Sequence, residues 1–224
     1  GFSKFVSVGN MADVSESDLV EAFGEDPDTD VILLYVEGIK DGRRFVEVAR
    51  KVTKVKPVIV VKSGVTSSGL KAVSSHTGSL AGSDRAFEAA FAQSGVLRAA
   101  SVQELFDYSL MFAYQPLLSA DDLAIVTNAG GPSVMAVDAI ERAGLRLAQL
   151  ADPTRETLKS FLPAAANTNN PVDALGDVLA KPYGRTLDLV MEDPSVKGVI
   201  AILTPQVVTQ PVESAQEVVR ASRQ

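Results

Sequence analysis

One histidine occurs in the 224 residues, His76, inside Ser-Ser-His-Thr-Gly-Ser-Leu-Ala-Gly at 74–82. An imidazole in such a setting has several uses. A metal site would need all its other ligands from Asp and Glu, because there is no second histidine and no cysteine. A Ser-His-acid hydrolase could draw on Ser74, Ser75 or Ser79, but the Gly-x-Ser-x-Gly elbow is missing and Ser79 directly follows Gly78. The imidazole can itself be a nucleophile, since at an ordinary pKa of about 6.5 it is largely unprotonated near neutral pH. Against all three stands an indifferent surface histidine. The small neighbours Ser75, Thr77 and Gly78 predict a flexible loop, able to carry a modified histidine between sites.

A second pattern is Asn128-Ala129-Gly130-Gly131-Pro132-Ser133. It follows an apolar run and opens a helical one, with proline in the first turn, where its missing N–H is not needed. Glycines at such a turn leave backbone N–H groups pointing outwards at the positive end of the helix dipole, which suits an anion such as phosphate. The pattern lacks the Lys-Ser/Thr of a P-loop and the third glycine of a dinucleotide fingerprint. A tight turn that lets the helix pack on its sheet is the competing explanation.

These residues need elements to hold them. The runs 4–10 (KFVSVGN), 30–37 (DVILLYVE) and 57–64 (PVIVVKSG) are dense in Val and Ile, as buried parallel strands are. Helical patterns lie between them. SESDLVEAFG at 15–24 opens on Ser15 with an acid three residues on and closes at Gly24. DGRRFVEVARKV at 41–52 puts Phe45, Val48, Ala49 and Val52 on one face. Further helices are predicted at 83–95 and 101–112, capped by Ser83 and Ser101. After Pro116–Asp122 the alternation restarts, with strands at 123–128, 145–150 and 196–205 and a helix at 129–144. This is an α/β pattern of two wound modules, 1–118 and 119–224, the first without an opening strand and helix like those of the second. In such sheets ligands sit at the carboxyl ends of strands. Gly9-Asn10, Glu37-Gly38, Lys62-Ser63-Gly64 and Asn128–Gly131 fall there.

Composition narrows the class. Hydrophobic residues make up 46 % of the chain, enough for a substantial core. No run of about 18 apolar residues could span a bilayer, and no basic start followed by an apolar stretch reads as a signal peptide. With 21 basic and 28 acidic residues the net charge is −7, which argues against nonspecific binding to nucleic acid or an anionic membrane. The absence of cysteine fits a reducing, cytoplasmic location. Only 6 % of residues are aromatic and none is Trp, leaving little to stack a flavin. The start at Gly-Phe-Ser, without an initiator methionine, points to a piece of a longer chain.

SSHTGSLAGSDRAFEAAFAQSGV resembles the phosphohistidine segment of the NDP-forming acyl-CoA synthetases, the family of ADP-forming acetyl-CoA synthetase and succinyl-CoA synthetase. GFSKFVSVGNMADV, DPDTDVILLYVEGIKDGRRFVEVAR, KPVIVVKSG, LAIVTNAGGPSVMAVDAIERAGL and NPVDALGD resemble further blocks of that family, in its order. The resemblance implies two flavodoxin-like (succinyl-CoA synthetase-like) three-layer modules with mostly parallel sheets. It implies that acyl-CoA and phosphate yield an acyl phosphate and CoA, that a histidine takes the phosphoryl group, and that ADP receives it at an ATP-grasp domain with Mg²⁺. His76 matches that histidine, and Glu37 the glutamate that bonds its imidazole. Asn128, Ala129, Gly130, Gly131 and Ser133 match one of two helix N-termini that hold the phosphoryl group, one from each module.

The family's CoA-binding Rossmann domain and its ATP-grasp domain or subunit have no counterpart in these 224 residues. The expectation is therefore a phosphoryl carrier within an oligomeric ligase for a small carboxylic acid, inactive as an isolated chain. A binding-module alternative is the acyl-CoA-sensing, synthetase-like region of a protein lysine acetyltransferase. That branch often lacks the reactive histidine.

Overall fold

The computed structural model describes residues 1–9, 11–66, 68–69 and 83–223. Asn10 and the whole histidine segment, with Ser75, His76, Thr77 and Gly78, lie outside the described residues, so the predicted loop at 74–79 does too. The chain divides into two compact units, Gly1–Leu117 and Leu118–Gln224.

In the first unit, β1 (Ile32–Val36), β2 (Val58–Lys62) and β3 (Leu97–Ala99) form a parallel sheet in that order. Helices α1 (Glu16–Glu25), α2 (Gly42–Val52) and α3 (Asp84–Ser94) cover one face, with Val20, Phe45, Val48, Phe87 and Phe91 packed on Val58 and Val60. Helix α4 (Val102–Tyr114) covers the other, burying Leu105 against Ile59 and Val61. The alternation of β2 between the two clusters is the period-2 geometry of a strand buried on both sides. Each helix starts where its sequence supplies a cap. Ser15 and Asp18 form a reciprocal box, Asp41 accepts from Arg44 N–H at 3.0 Å, and Ser101 accepts from Glu104 N–H at 3.1 Å.

Two local readings fail in this unit. Gly24 does not close α1; it lies inside the helix, where a Cβ would come 2.6 Å from Val52 Cγ2. The glycine is there for close packing of α1 on α2, a contact that no local pattern announces. Residues 1–9 contain no strand, and Phe5 is 82 % exposed. Their apolar content matches a strand, but a strand needs a partner backbone, and none of the described residues pairs with them.

In the second unit, β4 (Asp122–Thr127) is the central parallel strand. β7 (Gly198–Ile202) runs along one edge of it, and β5 (Arg146–Leu147) and β6 (Val172–Asp173) pair with its start and its end. The strand predicted at 145–150 is thus only two residues long, and β6 was not predicted. Helix α5 (Gly130–Arg142) packs Ile140 on Leu123 and Ile125. Helices α6 (Asp152–Phe161), α7 (Ala180–Met191) and α8 (Pro211–Ala221) bury Leu158, Tyr183, Leu187 and Ala221 with Ala124 and Val126 on the other face. Both units are therefore three-layer α/β sandwiches around parallel sheets. Among the described residues no helix is long and apolar enough to cross a membrane.

Candidate functional site

The carboxyl rim of the first sheet carries several polar and ionisable groups. Val36 and Lys62 are register partners, and Ser63 N–H donates to Val36 O at 3.0 Å, so Glu37 and Ser63 leave their strands side by side. Glu37 Oε2 and Ser63 Oγ are both buried, and among the described residues neither has a hydrogen-bond partner. Lys62 ends β2 with its ammonium over the Phe87 ring, 4.8 Å from the centroid. Helix α3, capped by Ser83, begins directly after the histidine segment in the chain. Its Asp84 and Glu88 are held by Arg98 of β3, at 2.6 and 3.2 Å for Asp84 and 2.6 Å for Glu88. A buried carboxylate oxygen without a donor is costly, by about 1–3 kcal/mol or more for a charged group, so it marks a place where a donor belongs.

A cavity of about 530 Å³ in the same unit contains none of these rim residues; Asp18, Asp41 and Arg44 are among its lining. Their roles are already accounted for by the fold. Asp18 is held down to about 2 by hydrogen bonds from the Ser15 side chain and backbone and by Arg44, and Asp41 caps α2.

In the second unit, the turn after β4 brings its predicted residues together. Ala129 N–H donates to Thr127 Oγ1 at 3.0 Å, and Ala129 is the N-cap of α5, with no side chain capping the helix. Pro132 has no N–H, so the first-turn donors left over are those of Gly130 and Gly131. Helices α6, α7 and α8 also lack side-chain caps, so it is the paired glycines that set α5 apart. Ser133 Oγ donates to Gly130 O at 2.7 Å, and its hydroxyl is thereby used within the helix. Asn128 is 1 % exposed, with Nδ2 donating to Thr204 O at 2.8 Å and Oδ1 accepting from Thr204 N–H at 2.8 Å. Its amide ties β4 to the end of β7, and the turn receives only its backbone.

A groove of about 380 Å³ runs beside this turn, lined by Gly130, Ser133, Val134, Val137, Pro171 and Asp173 among others. Asp173 is the residue that sequence reasoning missed here. Its Oδ1 accepts from Leu175 N–H at 3.0 Å, and its Oδ2 lies 3.5 Å from where a Cβ on Gly130 would be. The carboxylate thus stands at the positive end of α5. Asp173 follows Asn170-Pro171-Val172, but only the pairing of β6 with β4 brings it to the rim.

Gly131 separates an anion site from a packing turn. Nothing lies within 4 Å of where its Cβ would sit, and its φ is not left-handed, so Gly131→Ala should fold with unchanged or slightly higher stability. If a phosphoryl group approaches this backbone, the methyl should slow its transfer about tenfold to a hundredfold, as a loss of about 1.4–2.7 kcal/mol would. Wild-type rates in a stably folded variant would leave the turn a packing device.

Residues 1–112 match the model of the succinyl-CoA ligase like flavodoxin domain, and residues 123–224 that of the ligase-CoA domain. The chain is 51 % identical, over 219 residues, to acetate–CoA ligase [ADP-forming] I of Archaeoglobus fulgidus, covering 98 % of this chain and 32 % of that protein. It is 49 % identical over 226 residues to the alpha subunit of acetate–CoA ligase [ADP-forming] II of Pyrococcus furiosus, covering all of this chain and 49 % of that subunit. A solved structure of the dinucleotide-forming acetyl-coenzyme A synthetase 1 of Ca. Korarchaeum cryptofilum, in complex with phosphate and ADP, superposes with a TM-score of 0.90 at 37 % identity, over 97 % of this chain and 47 % of that one. The chain spans a third to a half of the length of these relatives. With both domain models matched in order and about half of all positions shared with relatives along its full length, the chain belongs to the NDP-forming acyl-CoA synthetase family.

Proposed function

We propose that this chain is the phosphoryl-carrying portion, residues 1–118 and 119–224 as two modules, of a cytoplasmic ADP-forming ligase for a small carboxylic acid. Acyl-CoA and phosphate give acyl phosphate and CoA. The Nε2 or Nδ1 lone pair of His76 then attacks phosphorus, the acyl–oxygen side leaves as carboxylate, and phosphohistidine passes its phosphoryl group to ADP. CoA and nucleotide with Mg²⁺ belong to a Rossmann domain and an ATP-grasp partner outside these residues. Among the described residues no group of three or more His, Asp or Glu could hold a metal ion.

The observation that supports this reading best is the Glu37 carboxylate. Its Oε2 is buried without a described donor on the rim of the first sheet, and an imidazole N–H is the donor it would take. A carboxylate on one ring nitrogen fixes the tautomer and leaves the other nitrogen as nucleophile. The N–H groups of Gly130 and Gly131 would receive the charge of the phosphoryl group. None of the three relatives described above carries an acetyltransferase name, and the sensing alternative draws no support from them.

The test is direct. The intact enzyme with ATP and Mg²⁺ should acquire an acid-labile, base-stable phosphate in the tryptic segment 72–85, on residue 76, read by mass spectrometry at neutral pH. Phosphate on another residue would refute the carrier role. Glu37→Gln keeps the shape but gives up a charge-assisted bond of about 1.5–3 kcal/mol. Rapid-quench labelling of that variant should be about tenfold to a hundredfold slower than wild type.

A further inference from the structure

Strand β1 ends its sheet but is not built as an edge. Its backbone bonds to β2 at Ile32, Leu34 and Val36: Ile32 N–H donates to Pro57 O, and Val36 O accepts from Ser63 N–H, each at 3.0 Å. With a period of two, the N–H and C=O groups of Leu33 and Tyr35 point the other way, and among the described residues no strand pairs with them. Sheet edges are ordinarily blunted by short length, charge or proline. β3, at the opposite edge, is three residues long and carries Arg98. β1 is Ile-Leu-Leu-Tyr-Val, with Tyr35 62 % exposed, a run that belongs inside a sheet. Residues 3–9 span the length of this strand without pairing with it. Before its start, the Ser3 and Thr29 hydroxyls are hydrogen-bonded at 3.2 Å and Lys4 Nζ donates to Asp26 Oδ2 at 2.6 Å. Past its end, Lys40 Nζ donates to Met11 O at 2.9 Å. Between these ties Phe5, Val6 and Val8 are exposed.

The second unit shows what fills such a place. There β5 and β6 are consecutive strands joined through α6, yet β4 lies between them and pairs with both, in the order β5-β4-β6. In the first unit residues 4–9 and β1 are joined through α1 in the same way, and they too are not paired. We propose that the outer edge of β1 is a docking slot for one further strand, supplied by a part of the enzyme outside these 224 residues. The matching span is 32 % and 49 % of the length of the two relatives described above, so more than half of each lies outside it. The strand runs parallel, as every pairing between the strands of both sheets does. It bonds to Leu33 and Tyr35 on one side and gives residues 4–9 a backbone partner on the other. It is apolar on both faces. One set of its side chains extends the layer in which Ile32 and Val36 meet Val20 and Phe45, and the other extends the layer in which Leu33 meets Leu105.

Hydrogen exchange in the unmodified full-length enzyme, resolved to single amides by fragmentation mass spectrometry, reads the slot directly. The Leu33 and Tyr35 amides should exchange on the order of 10³-fold more slowly than in an unstructured peptide, in line with their neighbours Leu34 and Val36. Exchange of these two at peptide rates while Leu34 and Val36 stay protected would overturn the proposal. The occupant is identified by photo-cross-linking from Tyr35→p-benzoylphenylalanine, an aromatic replacement at a side chain that these residues leave exposed. Irradiation of the full-length enzyme should join position 35 to an apolar peptide from outside residues 1–224. Adducts confined to residues 1–224, whether of the same chain or, in a mixture of ¹⁴N and ¹⁵N protein, of a second copy, would overturn the assignment of the occupant. So would the absence of any adduct, and so would protection at Leu33 and Tyr35 that disappears on dilution, the behaviour of an edge covered by a second copy.

Discussion

His76→Asn in the full-length enzyme should leave no phosphate in segment 72–85 and should reduce acyl-CoA-dependent ATP formation to background. Against ordinary turnover numbers that is a loss on the order of 10⁴-fold or more. The expectation follows from what each side chain can do. Asparagine keeps a polar group of similar reach, but its amide nitrogen has no available lone pair and cannot displace carboxylate from an acyl phosphate. The half-reactions separate the possibilities. Release of CoA from acyl-CoA and phosphate should survive in the variant, because in the proposed sequence acyl phosphate forms before the histidine is used. Phosphoryl transfer to ADP should not. Retention of full ATP formation without a phosphoenzyme would mean that acyl phosphate reaches ADP directly and that the histidine is dispensable. Circular dichroism matching wild type is the control for folding.

Much of the scaffold was legible because local signals carry it. Phe45, Val48, Ala49 and Val52 fall on one face of α2 as their spacing predicts, and all four are buried. Ser15, Asp41, Ser83 and Ser101 cap the helices that follow them. What stayed hidden is non-local. Gly24 resembles a helix stop and is a contact with Val52, 28 positions on; residues 4–10 have a strand's composition, yet 4–9 form no strand. Asn128 has the chemistry of a phosphate ligand, yet its amide is committed to Thr204, 76 positions away. For the site, Glu37 and His76 emerged from resemblance to a family; no period or spacing marks a carboxylate at position 37 as an orienter. Lys62 was visible only as part of a rim motif. Its burial beside Phe87 became apparent once β2 and α3 were packed together.

Asn170→Ala should destabilise the second unit by about 2–4 kcal/mol, because it removes bonds that no backbone can replace. β4 is buried throughout its centre, with β7 on one edge. On the other edge β5 reaches only Asp122 and Leu123, and β6 only Val126 and Thr127. The Asn170 side chain bridges the interval between them. Its Oδ1 accepts from Ile125 N–H at 2.9 Å, and its Nδ2 donates to Leu123 O at 2.8 Å and to Ala148 O at 3.0 Å. Truncation leaves the Ile125 N–H in a dry interior without an acceptor, at about 1–3 kcal/mol, and two carbonyls that tolerate the loss somewhat better. Asn170→Asp is the sharper variant. It keeps an acceptor for Ile125 but turns a carboxylate oxygen towards two carbonyls, so it should be at least as damaging as alanine although nearly isosteric. Urea unfolding of both variants, with amide exchange followed at Ile125, reads the effect. Exchange there should accelerate in Asn170→Ala beyond the change in global stability, as a local rung is lost. A shift below about 0.5 kcal/mol, the range of ordinary surface substitutions, would show that water fills the gap. Because β4 runs directly into Ala129–Gly131, the same loosening should weaken the turn that presents the two glycine N–H groups, and the Asn170 variants should lose phosphoryl transfer in proportion to their lost protection at Ile125.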